Sequence, residues 1–248
     1  MMYRLAALVF ALLALFANSS ALAKETVHIA AASSLRGPLE IIVGNFETQH
    51  PEYEVHISYA ASGKLVAQVQ HGAPYGLVLA AEPDYLEELH ARQLTLSAPQ
   101  HFSYGQLVLW HPQQHGDALD ILRDAKRIAL AQPRHAPYGK IAMRYLEQEF
   151  PDTDFTGRLV YGENVAQAAH RVYAGAVPLG FVALSQMLQL KIPESDYSVL
   201  TSVEPLPQAM ALTKQAQSGA RLLYSALLED AAQQVLTDYG YIRYVAAE

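Results

Sequence analysis

Apolar positions along the chain fall into two rhythms that alternate almost from end to end. Val27 to Ala32 is a largely apolar run that predicts a buried strand, and it stops abruptly at Ser33-Ser34. Leu35, Leu39, Ile42, Val43 and Phe46 then recur at three- and four-residue spacing, which predicts a helix with one apolar face. A serine at such a junction is a favoured helix N-cap. Tyr53 to Tyr59 predicts a second strand, Ala60-Ala61-Ser62-Gly63 a turn, and Lys64 to His71 a short helix with Leu65, Val66 and Val69 inward. Gly72-Ala73-Pro74 breaks that helix, Leu77 to Ala81 is a third apolar strand, and Glu82-Pro83-Asp84 opens a helix with acidic residues in its first turn. This βαβαβα alternation implies a mostly parallel sheet with helices on both faces.

The rhythm continues past residue 105. Gln106–Trp110 and Arg127–Ala131 predict strands, with a helix around Asp117–Arg123 between them and another running from Pro137-Tyr138-Gly139 to Phe150. A short strand ends at Val160, Gly162-Glu163-Asn164 is a turn, and Val165 to Tyr173 a helix. Pro178–Ala183 and Gln208–Thr213 predict further strands, and Gln217 to Tyr239 one or two amphipathic helices. Repeats, low-complexity linkers and long charge runs are all absent from the sequence.

The first 23 residues stand outside this pattern. Arg4 precedes an apolar run from Leu5 to Phe16, and Ala21-Leu22-Ala23 is a small-residue cleavage site before Lys24. The run is 12 residues, where a membrane span needs about 20. These features predict a cleaved signal peptide, with export to a bacterial periplasm and no stable membrane insertion afterwards. Without Arg4, the only charge in that segment, the mature chain carries 16 basic and 24 acidic residues, a net charge of −8. Nucleic-acid binders need basic stripes to meet phosphates, and none is present. With no Cys, disulfides and thiolate metal sites are excluded.

Candidate chemistry lies where strands hand over to helices. Four such junctions carry small or polar turns: Ser33-Ser34, Ser62-Gly63, Pro137-Tyr138-Gly139 and Asn164-Val165. Helix beginnings present unpaired N–H groups and a partial positive charge, so they favour anions. In open α/β sheets ligands bind beyond the carboxyl ends of the strands, where turns of this kind collect. Two junctions lie in each half, so closing the halves on each other would gather four helix starts around one small volume suited to a compact anion. Polar turns also occur there for purely structural reasons, and spacing alone leaves that reading open. Motifs for zinc proteases, serine hydrolases, P-loops and dinucleotide sites are missing, and the ten His residues are scattered, mostly at turns and element ends.

Taken as a set, A-A-S-S-L at 31–35, S-Y-A-A-S-G-K-L at 58–65, Gly72-Ala73-Pro74 through Ala81, A-P-Y-G at 136–139, G-E-N-V-A-Q at 162–167 and G-F-V-A-L-S-Q at 180–186 resemble the periplasmic molybdate-binding proteins of ABC importers. The resemblance spans the mature chain in the family's order. It implies two α/β lobes joined by two crossing strands, with molybdate or tungstate held in the cleft and delivered to a membrane permease with its ATPase. Implied lobes are 24–105 with 208–248, and 106–207, crossing near Gln106–Trp110 and Pro207–Thr213. Implied contacts are Ser33 and Ser34, Ser62, the N–H of Ala81, Tyr138 and Val165, all touching oxyanion oxygens and none ligating the metal. No cofactor and no catalytic residue are implied, and the protein is expected to be monomeric.

Two positions depart from the family pattern. Where some members carry an oxyanion-binding tyrosine in the late P-L-G-x-V strand, this chain has Ala183, so Tyr138 is expected to serve that side of the site. An acidic residue usual after G-A-P is replaced by Gly76. These departures keep open a relative retuned to another oxyanion or small acid, or an enzyme reusing the two-lobed scaffold. Arg36 and Lys64, just beyond the serine turns, are expected to be solvated first-turn side chains, with anion steering as the competing role.

Overall fold

A computed structural model describes residues 24–245, so the expected signal peptide and cleavage site lie outside the described residues. Elements alternate as the sequence predicts, and several are added. The first part contains β1 (Glu25–Ala32), α1 (Arg36–Gln49), β2 (Tyr53–Ala60), α2 (Ser62–Gln70), β3 (Leu77–Ala81) and α3 (Asp84–Ala91). Next come β4 (Gln100–Gly105), β5 (Leu107–Trp110), α4 (Ala118–Asp124), β6 (Ile128–Ala131), α5 (Pro137–Glu149), β7 (Leu159–Gly162) and α6 (Val165–Tyr173). The chain ends with β8 (Gly180–Ala183), α7 (Leu184–Gln189), β9 (Tyr197–Val199), β10 (Leu206–Leu212), α8 (Ser218–Ala226), α9 (Asp230–Asp238) and β11 (Ile242–Arg243).

Two sheets organise these elements. One has six strands in the order β11-β4-β10-β3-β1-β2, the other five in the order β7-β6-β8-β5-β9. Neither is mostly parallel, which corrects the expectation. β1 pairs in parallel with β2 and β3, but β10 runs antiparallel between β3 and β4. In the second sheet β6 is parallel to β7 and β8, and β5 is antiparallel to β8 and β9. Two of the antiparallel strands, β5 and β10, arrive directly from the other sheet and not from a crossover helix, which frees them from the βαβ rule.

The passage itself is short. β4 of the first sheet leads through Gln106 straight into β5 of the second, and the chain returns between β9 and β10, where Leu206 pairs with Gly105. Residues 107–110 and 206–212 thus lie within sheets, and the two crossings run side by side. Each lobe buries its sheet on both faces. In β3, Leu77, Leu79 and Ala81 join one core cluster while Val78 and Ala80 join another with Leu65, Val66, Leu86 and Leu89 of α2 and α3. Burial on both faces is why these strands read as continuous apolar runs and not as alternating ones.

Candidate functional site

The carboxyl ends of β1, β2 and β3 face those of β6 and β7 across the space between the sheets. There a single small cavity is lined by Ala32, Ser33, Ser34, Ala60, Ala61, Ser62, Ala81, Ala136, Pro137, Tyr138 and Val165. All six residues singled out from the sequence are in that set: Ser33, Ser34, Ser62 and Ala81 from the first lobe, Tyr138 and Val165 from the second. The empty space it encloses, its mouth included, is about 200 Å³. Such a chamber suits one compact group and excludes a nucleotide unless the lobes part. None of the described residues lining it carries a charge.

The serines are not helix caps, contrary to the expectation for Ser33-Ser34. Residues Ser33–Leu35 form a 3₁₀ turn before α1, with no side-chain cap bond at either helix start. Ser34, 2 % exposed, has a hydroxyl with no hydrogen-bond partner among the described residues. A buried polar atom without a partner is uncommon enough to need a cause. Ser62 occupies the first turn of α2, and its Oγ accepts from Ala81 N–H at 3.0 Å. With its lone pair engaged, the Ser62 O–H proton remains available to an acceptor in the cavity. Asn164 does cap its helix, accepting from Gln167 N–H at 3.0 Å and so fixing the start of α6 at Val165.

Tyr138 crosses from the second lobe toward the passage strands. A Cβ on Gly105 would lie 2.1 Å from its hydroxyl, so only glycine leaves room there. A Cβ on Gly139 would strike Ala131 O at the same 2.1 Å, so the helix start sits directly on the end of β6. Burial holds the Tyr138 phenol well above its ordinary pKa, and the phenol of Tyr241 close by pushes it the same way, so it is a permanent O–H donor at physiological pH. Two residues at this end of the cavity escaped the sequence reading. Tyr241 is 3 % exposed with an unpartnered hydroxyl. Gln208, fully buried on β10, donates from Nε2 to Leu206 O at 2.9 Å. Gln208 lies within a strand and Tyr241 just past a helix end, so no helix-start pattern marks either.

At the rim the chemistry changes. Lys64 at the start of α2 pairs with Glu163 in the turn before α6, and Lys140 of α5 pairs with Glu82 after β3 at 2.8 Å. Both pairs join one lobe to the other. Beside them Gly63 N–H donates to His135 O at 3.0 Å, and Ser185 Oγ donates to Ser34 O at 2.8 Å. Arg36, by contrast, stays within its lobe, 3.5 Å from Glu40 and 4.1 Å above the Tyr59 ring. The two departures from the family pattern do not reach the cavity. Ala183 is buried at the end of β8 and outside the lining set. Gly76 lies at the opposite end of β3 from Ala81, where a Cβ would come within 2.9 Å of Ala220 Cβ on α8. Of the scattered histidines, His111 is buried, with Nε2 3.0 Å from Ser198 Oγ and Nδ1 2.8 Å from Gln114 O.

Two lobes on mixed sheets, joined by paired crossings and closed over a small polar chamber, define a binding protein that captures its solute between lobes. The chain belongs to the bacterial extracellular solute-binding proteins, whose family profile matches residues 27–242. Within that class it is similar to the molybdate-binding protein ModA of Azotobacter vinelandii, 33 % identical and covering 97 % of this chain and 99 % of the relative. ModA of Rhodobacter capsulatus is 27 % identical, covering 90 % of each chain. Among solved structures, the periplasmic molybdate-binding protein of Azotobacter vinelandii superposes with a TM-score of 0.81 at 27 % identity, covering 88 % of this chain and all of that one. A tungstate ABC transporter protein of Geobacter sulfurreducens shares the fold, with a TM-score of 0.67 at 12 % identity.

Proposed function

We propose that this protein captures a bare tetrahedral oxyanion, molybdate or tungstate, between its lobes in the periplasm and delivers it to an ABC permease driven by its ATPase. The observation that carries this reading is the convergence of Ser33, Ser34, Ser62, Ala81, Tyr138 and Val165 on one uncharged chamber. A doubly charged oxyanion accepts hydrogen bonds at every oxygen and donates none. Hydroxyls of Ser34, Ser62 and Tyr138 and the helix starts at Ser33 and Val165 can each turn a donor toward it. Ala81 acts through Ser62, since its N–H engages the Ser62 oxygen and turns that hydroxyl's proton outward. No buried Arg or Lys is needed, which avoids the penalty of desolvating a charge whenever the chamber is empty.

Selectivity follows from size. Sulfate and phosphate are smaller than molybdate and tungstate and would leave donors unmade at ~1–3 kcal/mol each; two or three lost contacts give discrimination on the order of a hundredfold. Protonated phosphate would also turn an O–H toward donors. The lobes in this reading are 24–105 with 208–248, and 106–207, flexing at the paired crossings; the mature monomer begins at Lys24. No cofactor and no catalytic step enter. Calorimetric titration with molybdate, tungstate, sulfate and phosphate tests the proposal. Tight binding of the first two alone is expected, and binding of none of the four would overturn it.

A further inference from the structure

The hydroxyl of Tyr241 lies behind the chamber, and no lining residue explains it. α9 ends in a left-handed glycine, Gly240 at φ +77°, and Tyr241 N–H returns to Leu236 O at 3.0 Å, which turns the chain inward. That turn is wedged in place from two sides. Gln106, the residue at the passage between sheets, donates from Nε2 to Gly240 O at 2.8 Å. A Cβ on Gly240 would press to 2.7 Å from Leu184 of α7. The result delivers a phenol, 3 % exposed, beside Tyr138: Ile242 pairs with Tyr104, which sets Tyr241 opposite Gly105, and the Tyr138 hydroxyl occupies the space a Gly105 Cβ would fill. Ser34 Oγ and Tyr241 Oη, both buried, make no hydrogen bond among the described residues.

Counting protons shows what the extra phenol does. Ser185 has already given its proton to Ser34 O at 2.8 Å. If Ser34 and Tyr138 both turn their protons toward an oxyanion, the oxygens of both become acceptors with nothing behind them. Tyr241 then holds the one hydroxyl proton of the cluster not yet assigned. Burial pushes its pKa up to about 12, so that proton is retained at any pH the periplasm meets.

We infer that Tyr241 is a positioning residue of the oxyanion site, donating to the Tyr138 hydroxyl so that Tyr138 directs its own proton into the chamber. Chained hydrogen bonds polarise one another, so a donor at the back strengthens the donor at the front. The inference rests on the proposed oxyanion binding and adds a residue with no contact to the ligand. A purely structural phenol predicts the opposite behaviour, because an unpartnered buried hydroxyl weakens the fold and its removal as Phe should cost nothing.

Tyr241→Phe, Tyr138→Phe and the double variant, each titrated with molybdate beside the wild type and melted without it, test the inference. Expected for Tyr241→Phe is a five- to tenfold loss of affinity, with a melting temperature equal to or above that of the wild type. In the Tyr138→Phe background the same change should cost less than twofold, since its acceptor is gone. Unchanged affinity of Tyr241→Phe, or losses that simply multiply in the double variant, would overturn the relay while leaving oxyanion binding intact. A Tyr241→Phe protein that melts lower in proportion to its affinity loss would also overturn it, by showing a general packing role. A wild type that binds no molybdate would remove both readings together.

Discussion

The chamber and its rim, a few residues apart in sequence, follow opposite rules. Inside, Ser34, Ser62 and Tyr138 are buried and uncharged, and the Ser34 hydroxyl has no partner among the described residues. At the rim, Lys64 with Glu163 and Lys140 with Glu82 are charged, partly exposed and mutually satisfied. The contrast shows how two kinds of interaction divide the work. Desolvated neutral donors supply affinity and selectivity, because each unmade bond there has its full price. Solvated ion pairs contribute little individually but register the lobes, since each lip carries one cation and one anion that match their counterparts crosswise.

Moving the rim's chemistry into the chamber should give the largest effect. Ser62→Asp places a carboxylate where a dianion is expected. Two unit charges about 4 Å apart repel by ~4 kcal/mol at an effective dielectric near 20, and a dianion doubles that. Affinity for molybdate should fall by at least ~10³-fold in calorimetric titration, with the fold retained by circular dichroism. A variant that still binds tightly would place the ligand elsewhere.

Deleting single donors comes next and separates the two serines. Ser62→Ala removes both a donor and the acceptor for Ala81 N–H, so binding should weaken roughly tenfold or more and the unbound protein should melt lower. Ser34→Ala should weaken binding comparably, at ~1.5–3 kcal/mol for a bond to a charged acceptor. Its unbound melting temperature should hold or rise, because no bond among the described residues is lost. Parallel melting and titration of the two variants checks the distinction. Equal destabilisation would mean that the Ser34 hydroxyl is bonded after all.

How much of this was legible beforehand depends on whether a signal was local. Strand-to-helix junctions are written in consecutive residues, so Ser34, Ser62, Tyr138 and Val165 were readable as helix starts; the family resemblance added Ala81, whose N–H belongs to a strand end. Residues that meet only through the passage strands left no such mark. β4, with Gln100, His101, Ser103 and Tyr104 among its six residues, lacks the apolar rhythm that marks a strand. Its antiparallel place between β10 and β11 depends on chain segments 100 or more positions later, which is also why the sheets turned out mixed. Tyr241 and Gln208 were missed for the same reason. Ser33-Ser34 show a subtler failure: propensity assigned the hydroxyls to capping, and the 3₁₀ turn left Ser34 unbonded for the chamber instead.

Protonation offers a gentler way to compare the two regions. Burial raises the pKa of Tyr138 well above its usual value and of Tyr241 to about 12, so chamber donors keep their protons well beyond pH 10. At the rim, burial works against the Lys140 charge, but Glu82 outweighs it through their hydrogen bond and holds the ammonium pKa above normal. His135 is pushed the other way by burial and by the charges of Lys64 and Arg134, which favours its neutral form. Molybdate affinity should therefore be nearly flat from pH 6 to 9. For Tyr241, raised in the folded state, the sign of the linkage is that its stability contribution is complete below pH 10 and declines as pH climbs toward about 12. A titration midpoint near pH 7 in the binding profile would reveal an ionisable contact that the chamber lacks.

The smallest effect should come from the rim itself, and it tests whether the crossed pairs do more than decorate the surface. Side chains of Lys64 and Glu163 are 44 % and 57 % exposed, against 37 % and 22 % for Lys140 and Glu82. Solvent screens the first pair more, and exposed pairs are typically worth ~0.2–1 kcal/mol. Glu82 also holds a left-handed backbone, φ +71°, directly after Ala81, with its N–H on Pro207 O at 2.8 Å. A non-glycine residue held there is costly and persists only when its surroundings demand it. Lys64→Ala should thus weaken molybdate binding by less than about fivefold, and Lys140→Ala by somewhat more. Reversing one partner, as in Lys64→Glu, should cost more than deletion by setting two carboxylates face to face, and adding Glu163→Lys should recover most of that loss. All of these differences should shrink as salt rises from 20 mM to 500 mM, where the Debye length falls from about 20 Å to about 4 Å. The chamber variants should keep theirs. A rim variant whose penalty survives high salt, or a charge swap that recovers nothing, would mean that these side chains pack against the opposite lobe and do not act through their charge.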